Sequence, residues 1–174
     1  RRERLLADKP EHIIRRSRPA DYPERLGIAM EVPEHLYNQA ELYNLSVSRG
    51  TLTAEDRFPI QEHMISTIRM LDSLPFPEEL KNVPRFASTH HETMDGRGYP
   101  RRLSSEQLSV PERLLAVADV FEALTASDRP YKTAKTVSES IDILYKMVKN
   151  HHIDPSSFEL FIANMEIGNA FTEL

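Results

Sequence analysis

The 174-residue chain contains no cysteine. Disulfides and thiolate metal sites are therefore excluded, and any bound metal must be held by histidine, aspartate, glutamate or backbone oxygen. The same absence suits a reducing, cytoplasmic setting. Long apolar runs are also missing. The most apolar stretch, residues 113–124, is interrupted by Asp119 and Glu122 and falls short of the ~18 residues that a membrane-spanning helix needs. No secretory leader is recognisable. Positive charge is in deficit: 22 Lys and Arg against 27 Asp and Glu leave a formal charge of −5, which argues against a DNA-binding face. The chain does not begin with Met and is expected to be part of a longer protein.

What is present is the material of a helical domain, with 40% hydrophobic and 28% charged residues, enough for a core and unlike a disordered tail. Residues 1–44 read as an irregular arm or insertion segment rich in Arg and Pro, Arg15, Arg16, Pro19, Pro23 and Pro33 among them. Solvated charge is the simpler explanation of those arginines than a phosphate-binding patch. Residues 45–174 read as the helical domain. Three hydroxyl-to-acid capping boxes mark helix starts: Thr53 with Asp56, Ser109 with Glu112, and Thr136 with Glu139. Asp154 followed by Pro155 marks a fourth. Each opens an apolar stripe: Met64, Ile65, Ile68 and Leu71; Leu114, Leu115, Ala118 and Phe121; Ile141, Leu144 and Val148; Phe158, Phe161 and Ile162. Pro59 inside the first predicts a kink or a late start. No segment alternates long enough for a convincing strand, and the fold class is all-α. Residues 75–84 and 94–109 are expected to be ordered loops.

The stretch from His90 to Pro100 packs two adjacent imidazoles, the acids Glu92 and Asp95 and a Gly96-Arg97-Gly98 turn into a short space. By itself it could be a helix ending in a glycine turn with surface histidines. Asp119, between Ala118 and Phe121, reads as a carboxylate near an apolar face, which needs a partner: an arginine, or a metal shared with histidines of neighbouring helices. His63 on the edge of its stripe is, alone, a satisfied core residue or a third imidazole. Glu92 and Asp95 are read as supporting groups, Asp95 as a cap on the glycine turn.

Together these segments resemble the HD-GYP division of the HD phosphohydrolases: His63, His90-His91-Glu92, Asp95-Gly96-x-Gly98-Tyr99-Pro100, Ala118-Asp119-Val120-Phe121-Glu122-Ala123-Leu124-Thr125 and Asp128-Arg129-Pro130-Tyr131-Lys132. The resemblance runs from about Leu45 to Phe161. It implies an HD-domain-like helical bundle with two or three iron or manganese ions, hydrolysing cyclic di-GMP to the linear dinucleotide or GMP. His63, His90, His91 and Asp119 match the family's metal ligands. Gly98, Tyr99 and Pro100 match the loop beside the substrate, and Arg129 and Lys132 match phosphate contacts. Attack is left to a water activated by the metals, so no side chain is assigned as nucleophile. The resemblance also permits a protein partner, such as a diguanylate cyclase, on the Asp95–Arg102 loop.

One family feature is missing. The chain contains no His-Asp dipeptide. Glu34-His35 stands about where a compact relative carries that pair, with Asn38 in the lysine position, and is not read as a substitute. Either the pair lies upstream of Arg1, or the site is degenerate and the domain binds a nucleotide or a protein without hydrolysis. In both cases this chain alone is expected to hold metal weakly and to turn over slowly.

Overall fold

The computed structural model of the chain describes residues 6–17, 20–48, 50–127 and 133–172, with side chains as far as residue 165. The helices are α1 (Glu41–Leu45), α2 (Ala54–Asp72), α3 (Val83–Ala87), α4 (Val110–Thr125), α5 (Val137–Lys149) and α6 (Pro155–Thr172). The only strands among the described residues are β1 (Ile13–Arg15) and β2 (His35–Asn38), an antiparallel ribbon in the arm with Ile13 opposite Asn38. The all-α expectation therefore holds, and the described residues of the arm carry this ribbon, two 3-10 turns and most of α1. No helix among the described residues is long and apolar enough to cross a membrane.

The helix starts follow local chemistry. Thr53 and Asp56 form a reciprocal capping box, as do Thr136 and Glu139. Asp154 accepts from the Ser157 amide at 2.9 Å at the start of α6. Pro59 does not delay α2, which begins at Ala54 and runs through it. It lies near the helix start, where losing one backbone donor is compensated by the buried Phe58, Met64, Ile65 and Ile68.

The apolar core lies between α4, α5 and α6. Val117, Leu144 and Ile153 are sealed, Val120, Met147 and Phe158 pack against them, and Phe121 meets Phe161 edge-on at 5.1 Å. On α4 the expected stripe is out of phase. Leu115 and Ala118 face solvent, whereas Ala116 and Val117 are buried. α3 and the pair α5–α6 both pack on α4, so its buried surface is wider than one stripe.

Glu112 is the bolt between α4 and the segment that carries the histidines. Its side chain is 0% exposed. One carboxylate oxygen accepts from the Ser109 amide and hydroxyl at 2.7 and 2.6 Å; the other accepts from Arg85 Nε at 3.0 Å and Thr89 Oγ1 at 3.2 Å. Burial by itself would raise this carboxyl, but the Ser109, Arg85 and Thr89 donors together outweigh it and hold it below the usual range. Arg85 is half exposed, so the charge pair contributes less than about 1 kcal/mol and the buried hydrogen bonds carry the rest. With a depressed folded value, the unfolded chain binds the proton more readily. The stability from Glu112 is thus present above the ordinary carboxylate range and is lost as pH falls through the folded value. Glu112→Gln is expected to cost about 2 kcal/mol at pH 7 and to flatten the acid limb of the stability curve. Urea unfolding at pH 7 and pH 3 checks this, and equal stability of the two proteins at pH 7 would remove Glu112 from this role.

Candidate metal centre

α3 ends at Ala87, and His90 and His91 fall on the turns that follow it. α2 brings His63 from the other side. Side-chain donor atoms of His63, His90 and His91 lie within 4.8 Å of one another. The His91 ring is the hub: its centroid is 4.2 Å from His90, 5.3 Å from His63 and 4.7 Å from Tyr99, with which it is stacked.

Backbone carbonyls orient two of the three rings. His90 Nδ1 lies 2.9 Å from the Ala87 carbonyl, and His63 Nδ1 is paired with the Ile60 carbonyl. A carbonyl only accepts, so each Nδ1 carries a proton, and Nε2 is the nitrogen left to meet a metal. His91 Nδ1 faces Asp119 Oδ2 at 3.8 Å, too far for a hydrogen bond. Burial and the charge of His90 pull the His91 imidazole down; Asp119 opposes them and His63 adds to the fall, leaving it at about 4. The ring is a neutral base at pH 7. Burial and the Asp119 charge push the Tyr99 phenol up to about 12, so it keeps its proton. Asp119 is less buried than its sequence setting suggests, with 38% of its side chain exposed on the rim of the cleft.

The Gly98-Tyr99-Pro100 loop is clamped from below. The Tyr99 amide donates to the His91 carbonyl at 3.2 Å, and the Pro100 carbonyl accepts from Ala29 of the arm at 2.8 Å. Glu92 is buried and accepts from the Arg101 and Leu103 amides at 2.7 and 2.9 Å. Burial raises its carboxyl against those donors. It therefore fixes the chain after the loop by accepting from backbone amides and not from an imidazole. Asp95 does cap the glycine turn, accepting from the Arg97 amide at 3.1 Å. Arg101 ties the whole to the arm through the Leu26 carbonyl at 3.0 Å and the Ser88 hydroxyl at 2.8 Å.

His90 and His91 open on a cleft of about 460 Å³ walled by Tyr99, Gly98, Asp119, Val120 and Met147. Gln61 and His152 also line it, and neither carries a local signal of that role. Gln61 sits beside His63 without any motif, and His152 arrives by the packing of α5 and α6. Glu34-His35 lies in a different cleft, with Arg15, Arg16 and Pro33. Arg129 and Lys132 lie outside the described residues.

A helical bundle that aims clustered imidazoles and a carboxylate into a cleft beside a Gly-Tyr-Pro loop defines the class. The chain belongs to the HD domain family, in its HD-GYP division: the family model described as HD domain matches residues 2–157. Among curated relatives it is 28% identical over 152 residues to 3'3'-cGAMP-specific phosphodiesterase 1 of Vibrio cholerae, covering 82% of this chain and 34% of the relative. It is 37% identical over 112 residues to 3'3'-cGAMP-specific phosphodiesterase 3 of the same organism, covering 63% and 23%. With a cyclic di-GMP phosphodiesterase of Pseudomonas aeruginosa it shares 33% identity over 153 residues, covering 88% and 33%. The chain thus spans about a third or less of the length of these relatives.

Proposed function

We propose that this chain forms part of a metal-dependent phosphodiesterase that hydrolyses cyclic di-GMP or a related cyclic dinucleotide to the linear dinucleotide or GMP. The observation that carries the reading is the convergence of His63, His90 and His91, two of them turned by carbonyls so that Nε2 is free. With Asp119 they would supply part of the ligand set for two or three divalent ions, iron or manganese, which suit nitrogen and oxygen donors without thiolate. Such ions, when bound, activate water and offset charge developing on the phosphoryl oxygens.

The chain's own residues bind and orient. Tyr99, protonated and stacked on His91, presents an aromatic face and a hydroxyl at the cleft. Gly98 lets the loop lie on the backbone of the histidine turn. Arg129 and Lys132 would contact the phosphates. Residues 45–174 would carry the site, with the 1–44 arm bracing its loop through Leu26 and Ala29. The Asp95–Arg102 loop on the rim is the surface offered to a protein partner such as a diguanylate cyclase, and the setting is the cytoplasm.

At saturating manganese the chain is expected to hydrolyse cyclic di-GMP or 3'3'-cGAMP slowly, to stop after chelation and to resume on adding metal, followed by chromatography of the products over long incubations. Metal-loaded protein that leaves both substrates intact would overturn the reading. The absence of a His-Asp dipeptide favours a second reading, nucleotide binding without hydrolysis. Calorimetry after chelation separates them, since a simple phosphate pocket keeps its affinity without metal.

A further inference from the structure

A smaller cleft, about 230 Å³, adjoins the histidine cleft and shares Gln61, Arg97, Gly98 and Tyr99 with it. Three guanidinium groups from two segments, α2 and the Asp95–Arg102 loop, line it. Arg57 stands one helical turn before Gln61 on α2 and has no ion-pair partner among the described residues. Arg97 is held at its amide by Thr93 and Asp95, while its side chain is 87% exposed and meets Asp95 only at 3.6 Å. Arg102 pairs with Glu31 at 3.0 Å. Glu31 is the single carboxylate among the lining residues, so the cleft carries excess positive charge in a chain whose net charge is −5. Packing does not explain three arginines here, because all three are exposed.

We infer that the cleft formed by Arg57, Arg97 and Arg102 seats the second phosphodiester of a cyclic dinucleotide whose first phosphodiester lies at the histidine cluster, an inference that rests on the phosphodiesterase reading above. Such a ligand carries two phosphodiesters on opposite sides of one macrocycle. A ligand bound with one at the histidines must place the other within the width of its ring, and the adjoining cleft is positively charged. Guanidinium groups suit a diester because they meet two oxygens with a planar fork. Tyr99, in the wall common to both clefts, adds an aromatic face for a base. The subsite would thus select a dinucleotide over a single diester.

The test is calorimetric titration of the manganese-loaded chain with cyclic di-GMP and, separately, with bis(p-nitrophenyl) phosphate, which has one diester. The double variant Arg57→Gln/Arg97→Gln is expected to weaken cyclic di-GMP binding roughly tenfold and to reduce its salt dependence. Its affinity for bis(p-nitrophenyl) phosphate should change by less than about twofold, because that probe does not reach the second cleft. Arg57→Lys/Arg97→Lys should recover part of the loss, by charge without the fork. Equal weakening of both probes, or none of either, overturns the subsite while leaving the phosphodiesterase reading in place. A wild-type chain that binds bis(p-nitrophenyl) phosphate but not cyclic di-GMP also overturns it. Failure to bind either probe overturns that reading and the subsite together.

Discussion

Gly98→Ala is expected to lower the melting temperature by about 10 °C and to remove both metal retention and turnover. A Cβ at this position would lie 2.4 Å from Glu92 Cα, 2.5 Å from the His91 carbonyl oxygen and 2.6 Å from the Thr93 amide nitrogen. All three are backbone atoms, so no flexible side chain can swing aside. Relief requires the loop to lift off the histidine turn, which breaks the Tyr99 amide bond to His91 and unstacks the two rings. Overpacking of this kind costs roughly 3 kcal/mol, and at this chain length that corresponds to the stated shift. Calorimetric melting with elemental analysis of the same sample checks both halves. A variant that melts like the wild type would show that the loop does not need this close approach.

His91→Ala is expected to weaken manganese binding by more than ~100-fold, beyond what loss of a supporting hydrogen bond costs at a metal site, while the chain stays folded. His91 touches every other member of the cluster, with His90, His63 and Tyr99 around its ring and Asp119 facing its Nδ1. Its side chain makes no hydrogen bond that holds two helices together, in contrast to Glu112. His35→Ala should leave manganese affinity unchanged, since His35 lies in a separate cleft. Titration calorimetry of the three proteins, with circular dichroism as the folding control, makes the comparison. Retained affinity in His91→Ala would remove this residue from the ligand set.

Much of this could be read locally. Thr53 with Asp56 and Thr136 with Glu139 begin helices because the cap and its reciprocal acid lie within one turn of each other. Asp95 caps its turn for the same reason. Where several partners decide, local reading lost accuracy. On α4, Leu115 and Ala118 are exposed and Ala116 is buried, because α3 claims one side of the helix and α5 with α6 another. Asp119 then lies on a rim and not in a core. The ribbon of Ile13–Arg15 with His35–Asn38 joins residues too far apart in sequence, in strands too short, to leave a periodic signature.

Residue types and local spacing set the chemistry on offer: no thiolate, four candidate nitrogen and oxygen ligands, a helical class, and a glycine-bearing loop shortly after a histidine pair. These are properties of residue type and of spacing within a segment. Tertiary structure decided what meets what. It brought His63 of α2 to the turn after α3, placed His35 in a separate cleft, and gathered Arg57, Arg97 and Arg102 into one wall. The physical reason is that these meetings depend on ties such as the buried Glu112 and the half-buried Arg101, which join segments distant in sequence and act only once the helices have packed.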